Sequence, residues 1–452
     1  NEGVKLDLGS TAKLRTLATY LEIVAELHSR FAGEHRETLA AIEVEPADRI
    51  TRFVIDQLIS RPGLPLAALL ESALERRYSA SPWETFYTGG AQHRFGNFNE
   101  EADARVLSVR SAFTLSVNLV FIRLMRDVVN YYIHQAPGSS AALLKDPRDP
   151  RREQYLRRFA DQEGRIYLES FWRKYHGKQS EERRAALLRG VRVTPRRVAM
   201  ALRAASPEME FEAFQTAIRA QLPEGKLAPG IERKLYESYS PARFSLADQG
   251  YIAGVHPLEL WLVGYLDSHP DTTLRQVFEA SSEQRISVYQ WLFSRHRKRA
   301  QDRRIRSLLE IEAFLEVHRN WQAHGYPFDS LVPSLATAIG SAADRPSALA
   351  ELAGIIANGG LRVPALRIAR LRFAGDTPYE TVLAPAPTEG VRVMPEAVAA
   401  ALRSAMVDVV EHGTAVRARG ALVAGDGRPA VVGGKTGTGD HRYKIFGPGG
   451  TL

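Results

Sequence analysis

Apolar side chains recur at helical intervals between Thr11 and His28, through Leu14, Leu17, Ala18, Leu21, Val24 and Ala25, which predicts an amphipathic helix. A second helical region is expected from Ile50 to Arg77, broken at Arg61-Pro62-Gly63. The period is lost over Trp83–Asn99, which reads as an aromatic loop holding Gly89-Gly90 and Phe95-Gly96-Asn97-Phe98. A helical pair is then expected, Glu101–Thr114 and Leu119–Ile133, separated by Ser116-Val117-Asn118. From His134 to Gly325 the pattern is charged and mostly helical, with prolines between segments and no fixed-period repeat. Farther on, Ser347–Ala357 and Pro395–His412 read as helices, the first stopped by Asn358-Gly359-Gly360 and the second opened by proline. Leu366–Phe373 and Ala430–Gly434 read as strands. Helices and strands are segregated along the chain, which predicts α+β.

Composition narrows this picture. A length of 452 residues fits two or three domains, or one with a large insertion, and 44% hydrophobic residues argue for a globular chain. Cysteine is absent, which excludes disulfides, thiolate metal sites and a cysteine nucleophile. The net charge of +8 invites a nucleic-acid reading, but Lys145–Arg197 alone holds sixteen basic and eight acidic residues. The remainder is therefore balanced, and no nucleic-acid partner is expected. Only ten of the 60 basic residues are lysine, so each lysine is a candidate for a specific task. No run of about 18 apolar residues marks a membrane span. The chain opens on Asn1 and closes on Gly450-Thr451-Leu452, and reads as a piece truncated at both ends.

Three short motifs put chemistry on this frame. Ser10-Thr11-Ala12-Lys13 opens the first helix, and its spacing sets serine and lysine one turn apart on one face. A lysine whose pKa is lowered by burial can take a serine proton, and a helix N-terminus favours developing negative charge. The alternative is a serine N-cap beside a solvated lysine. Lys435-Thr436-Gly437-Thr438-Gly439 follows apolar Ala430–Val432, so a strand edge is expected, with Thr436 and Thr438 on one side and Gly437 leaving room for a ligand. Such an edge makes a carboxylate cradle; a glycine-rich β-turn is the competing reading. A phosphate loop is excluded, because Pro429 stands where Gly-x-x-x-x-Gly-Lys-Thr needs its first glycine. Ser116-Val117-Asn118 adds two short polar side chains between helices, by itself equally the pattern of a cap. The twelve histidines show no ligand spacing, so no metal site is expected.

Taken in order, Ser-x-x-Lys, Ser-x-Asn and Lys-Thr-Gly form the signature of the penicillin-recognising serine acyltransferases. On these residues the sequence resembles the transpeptidase domain of a class A penicillin-binding protein. The flanks extend the likeness. Arg105–Val120 is similar to the family's helix leading into Ser-x-Asn, and Pro333–Ser341 to its proline-serine segment. Ala357-Asn358-Gly359-Gly360 resembles the helix that follows that proline-serine segment, and Val409–Ala415, with His412-Gly413-Thr414-Ala415, the stretch before Lys-Thr-Gly. The likeness covers roughly residues 1–30, 95–133 and 326–446. It departs in the 319 positions between Ser116 and Lys435, longer than usual, and in the strands and helix that normally follow Lys-Thr-Gly.

The resemblance implies a β-lactamase/transpeptidase-like fold, an antiparallel sheet flanked by helices. Its first part would be 1–133, its second 326–452, and 134–325 an Arg-rich helical insertion. It implies Ser10 as nucleophile, Lys13 as general base, and Ser116 with Lys435 relaying protons to the leaving group. Asn118 would hold the acyl-side amide, Thr436 and Thr438 the terminal carboxylate beside Gly437, and the N–H groups of Ser10 and Thr438 the oxyanion. The implied substrates are D-Ala-D-Ala stem peptides and an amine acceptor, with β-lactams acylating the same serine and no cofactor. An upstream glycosyltransferase domain is implied, and a place on the periplasmic side of the bacterial inner membrane, anchored by a segment outside this chain. The insertion is a candidate surface for cell-wall assembly proteins or anionic lipid. The same motifs serve D,D-carboxypeptidases and β-lactamases, in which water replaces the amine. A non-catalytic β-lactam or cell-wall sensor, or an assembly protein, is the reading from a different class.

Overall fold

The structure, a computed structural model, describes residues 5–135, 142–223, 225, 227–228, 230–366, 368–384 and 389–439. They fall into two compact units, one formed by the chain up to 141 and from 309 onward, the other by 142–308. These boundaries lie inside the expected 134–325, because Asn320, Trp321 and His324 pack with the first helix: Trp321 Nε1 donates to Thr19 Oγ1 at 3.1 Å.

The first unit is organised around α1 (Ala12–Phe31), entered through a 3-10 turn at Gly9–Thr11. The apolar stripe read from the sequence is only one of its buried sides. Leu17, Ala18, Tyr20, Leu21 and Val24 have no exposed surface, and neither do Lys13, Thr16 and Thr19. The two threonines return their hydroxyls to the carbonyls of Ala12 and Arg15, one turn earlier. Arg15 is satisfied by Asp344, at 2.7 and 3.3 Å, and by the carbonyl of His324 at 3.2 Å. Helices α2 (Arg36–Ala41), α3 (Arg49–Ser60) and α4 (Leu66–Leu74) follow, with the break between the last two where Pro62-Gly63 places it. Asp48 caps α3 by accepting the N–H of Thr51 at 3.1 Å.

Three expectations need correction here. The second helical region stops at Leu74, and Arg77–Ser79 is strand β1. Its partner, Val106–Ser108, lies inside the segment expected to be a helix from Glu101; Tyr78 pairs with Leu107. Pairing with Arg77–Ser79, remote in sequence, makes the segment a strand although its local pattern suits a helix. The Trp83–Asn99 loop contains a hairpin, β2 (Phe86–Thr88) and β3 (Ala91–His93), with Val106–Ser108 then becoming β4. Its turn is Gly89-Gly90, both at positive φ (59° and 77°), the combination a two-residue hairpin turn demands. A 3-10 turn at Glu100–Ala102 and the α-helix Val109–Thr114 (α5) remain, the latter capped by Ser108, which accepts the N–H of Ser111 at 3.1 Å. Helix α6 (Asn118–Gln135) begins immediately after the Ser-x-Asn loop.

Later elements complete the unit. The helices Pro346–Ala357 and Glu396–Glu411 match their expected positions within a residue or two, and Gly359 and Gly360 end the first with positive φ. The strand expected over Leu366–Phe373 is confined to Leu371–Phe373, paired with Thr381–Leu383. Ala430–Gly434 is not a strand among the described residues. Its N–H groups go instead to Leu422 O (Ala430, 2.9 Å) and, from Gly434, to Met406 O on the helix Glu396–Glu411 at 3.1 Å. The fold is α+β, and the described strands form four separate two-stranded antiparallel sheets.

The second unit is helical, with Val198–Ala205 of the helix Pro195–Ala205 buried beside Leu246–Ala253 and Pro257–Ser268. Much of its arginine excess is structural. Buried Arg183 reaches Asp267 (2.8 Å) and Leu266 O (3.1 Å), and buried Arg203 reaches the carbonyls of Pro207 and Met209. Arg285 holds Asp161 and the carbonyl of Phe278. A guanidinium suits this work because its fork satisfies several acceptors at once. Trp261 is half-buried, and Trp291 is 46% exposed. No described helix is long and apolar enough to cross a membrane.

Candidate active site

Ser10 occupies the 3-10 turn ahead of α1, and its hydroxyl does not cap the helix. The turn is held by Asp7, whose carboxylate accepts Gly9 N–H at 2.9 Å, and by Leu8 O, which accepts from Thr11. The Ser10 hydroxyl lies 2.7 Å from the Lys13 amine, the contact that the one-turn spacing predicts. Chain topology then adds what spacing cannot. Lys13 Nζ is 2.7 Å from Asn118 Oδ1, 2.8 Å from Ser116 O and 3.2 Å from Ser116 Oγ. Lys435 Nζ approaches Ser116 Oγ from another direction at 2.8 Å and also meets its neighbour's carbonyl, Thr436 O, at 2.9 Å. Ser10, Lys13, Ser116 and Lys435 thus form one hydrogen-bonded chain.

Electrostatics separates the two lysines. Lys13 is fully buried, with the Phe121 ring 6.0 Å away, and burial followed by the charge of Lys435 lowers its pKa to about 6. At neutral pH it is an uncharged amine with one lone pair and two protons. The Ser10 hydroxyl can donate to the lone pair, while the two protons are shared among Asn118 Oδ1, Ser116 O and, at the longest distance, Ser116 Oγ. Lys435, beside the buried Phe113 ring, is lowered by burial to about 8 and stays mainly charged at neutral pH, a donor to Ser116 Oγ. Lys13 is poised to take a proton from Ser10, and Lys435 to supply positive charge at the Ser116 hydroxyl.

Ser116 stands at φ 57°, in the left-handed region that non-glycine residues seldom enter. It sits where α5 ends and α6 begins, and Val117 N–H returns to Ala112 O at 2.9 Å. Replacing Ser116 by Gly or by Ala removes the same hydroxyl, but only Ala keeps the backbone cost. Ser116→Gly is therefore expected to be more stable than Ser116→Ala by about 1–2 kcal/mol in urea denaturation, while both lose the Lys13–Lys435 link.

Gly437 and Thr438 are exposed, and the 435–438 segment lies backbone to backbone on the turn before Ser10. A Cβ on Gly437 would stand 2.3 Å from Leu8 O, and one on Gly9 (φ 51°) would stand 2.1 Å from Thr438 O. The space left at Gly437, expected to admit a ligand, is taken up by this approach. The Thr436 hydroxyl pairs with Thr414 at 2.6 Å, so Thr436 is held against the end of the helix Glu396–Glu411. Thr414 was legible only as part of His412-Gly413-Thr414-Ala415. Gly413 lets that end close on α5, where a Cβ would meet Thr114 O at 2.3 Å.

Two more supports lacked a sequence signal. Asn118 Nδ2 donates to Gly96 O at 3.0 Å, and Asn97 Oδ1 accepts Leu119 N–H at 3.0 Å, so the segment after the hairpin fixes the Ser-x-Asn loop. The hairpin is tied in turn through Thr88, whose hydroxyl donates to Glu310 at 2.5 Å and accepts Leu335 N–H at 2.8 Å. Burial raises the Glu310 carboxyl to about 7. Leu335 opens the 3-10 turn ending at Gly340, whose ideal Cβ would lie 2.4 Å from Gly9 O. Two cavities, about 710 Å³ beside the helix Pro346–Ala357 and about 450 Å³ around Arg77 and Arg105–Ser108, do not include these residues. Among the described residues no group of acidic and histidine side chains could hold a metal ion.

Comparison of the chain with protein-family models, with curated proteins and with solved structures gives no match.

Proposed function

We propose that this protein is a serine acyltransferase of the penicillin-recognising type, acting as a peptidoglycan D,D-transpeptidase. The observation that carries the reading is the hydrogen-bonded chain Ser10–Lys13–Ser116–Lys435, which gathers three motifs that stand far apart in sequence around one serine hydroxyl. In this reading neutral Lys13 takes the Ser10 proton as Oγ attacks the carbonyl of a D-Ala-D-Ala stem peptide. Ser116, bridging to charged Lys435, passes a proton to the departing D-alanine. An amine of a second stem peptide then attacks the acyl-enzyme, releasing Ser10 and forming the cross-link. Asn118 would hold the acyl-side amide, and Thr436 with Thr438 the terminal carboxylate. A β-lactam acylates the same oxygen because its strained amide occupies the place of the peptide.

The test is covalent labelling by fluorescent penicillin. Wild type is expected to label and Ser10→Ala not; absence of wild-type label, or equal label on both, overturns the reading. Product analysis with an added acceptor amine separates cross-linking from hydrolysis.

A further inference from the structure

We propose that the connection Arg189–Arg197 in the second unit is a docking surface for an anionic lipid bilayer. The helix Arg151–Tyr175 neutralises its arginines: Arg157, Arg165 and Arg173 each hold an acidic residue one turn away. The next stretch does the opposite. No acidic residue occurs between Glu182 and Glu208. Arg189, Arg192 and Arg196 are exposed, and with Arg197 they make no ion pair among the described residues. They crowd the short connection between the helices Ser180–Leu188 and Pro195–Ala205 and the first turn of the second.

Their placement works against folding. Exposed Arg196 stands in the first turn of a helix, where the backbone dipole disfavours positive charge, and Thr194 supplies no side-chain cap. An external anion would satisfy both the guanidinium groups and that helix end. The surface also carries apolar groups. Val193, between the arginines, is 47% exposed. Arg197 reaches the end of the helix Leu246–Ala253, where a Cβ on Gly254 would stand 2.9 Å from its Nη1, and that helix carries Tyr251, 83% exposed. Arginines around an exposed valine, with an exposed tyrosine on the neighbouring helix, fit a headgroup layer, where the guanidinium groups meet phosphate and the apolar groups enter the boundary below. A soluble anion would use the charge and leave Val193 and Tyr251 without a role.

Co-sedimentation of the full chain with vesicles tests this independently of Ser10 chemistry. Binding is expected to vesicles of phosphatidylglycerol in phosphatidylcholine and not to phosphatidylcholine alone, and to weaken with salt. The triple change R189Q/R192Q/R196Q is expected to weaken it about a hundredfold. R157Q/R165Q/R173Q, which removes three paired arginines, should weaken it less than about threefold. V193S/Y251S, which leaves every charge in place, should weaken it about fivefold. Equal loss in the two arginine variants, no binding to the anionic vesicles, or displacement by equal amounts of inorganic phosphate or polyglutamate overturns the proposal.

Discussion

Lys13→Met is expected to lower the second-order rate constant for acylation by penicillin about a thousandfold and to remove the acidic limb of its pH profile. In wild type the rate should rise with pH through about 6, as Lys13 loses its proton and its lone pair becomes available to Ser10. It should fall again above about 8, where Lys435 loses the charge it directs at Ser116 Oγ. Methionine keeps the length of the side chain but has no lone pair of comparable basicity, so only the alkaline limb should survive. The readout is the acylation rate from pH 5 to 9. A variant that keeps the rising limb, or loses less than about tenfold, would show that Lys13 is not the base.

Asp344→Ala is expected to lower stability by about 3–5 kcal/mol in urea denaturation. Arg15 lies inside α1 with 1% of its side chain exposed, and Asp344 supplies both carboxylate contacts. Removing the carboxylate leaves a buried guanidinium with the carbonyl of His324 and the rings of Trp321 and Tyr326, and no counter-charge. Replacing both partners with apolar residues, Arg15→Met with Asp344→Leu, should recover most of the loss, because the cost lies in the orphaned charge. Asp344 also pairs through its backbone with Leu6, at 3.0 and 3.2 Å, just ahead of the turn that holds Ser10. Acylation should therefore fall in Asp344→Ala at temperatures where the protein is still folded. Unchanged stability would show that the ion pair does not hold this end of α1.

Some of this was legible in the linear pattern. Ser10 and Lys13 lie in contact because the helical repeat is local, so their separation in sequence sets their separation in space. The same holds for α1, for the Pro62-Gly63 break and for the glycines that end the helix Pro346–Ala357. What failed was long-range pairing. Val106–Ser108 sits within a helix-compatible window, and only its ladder with Arg77–Ser79, nearly thirty residues away, makes it a strand. Ala430–Gly434 failed the other way: the apolar run suggested a strand, and its backbone groups found a helix and a turn as partners.

Composition drew attention to ten lysines among sixty basic residues, and motif order singled out Lys13 and Lys435. Sequence by itself determined which functional groups exist, which of them share a helix face, and that charge is concentrated in one stretch. Only the tertiary structure decided that Lys13 is uncharged at neutral pH. That property depends on how much water the packed chain removes, and on a second lysine more than four hundred residues away. Tertiary structure likewise decided that Ser116 is strained and that Gly9 and Gly437 serve a backbone contact. It also divided the arginines into those buried on carboxylates and carbonyls and those facing water. In each case the deciding quantity is the distance between groups remote in sequence, which no local period encodes.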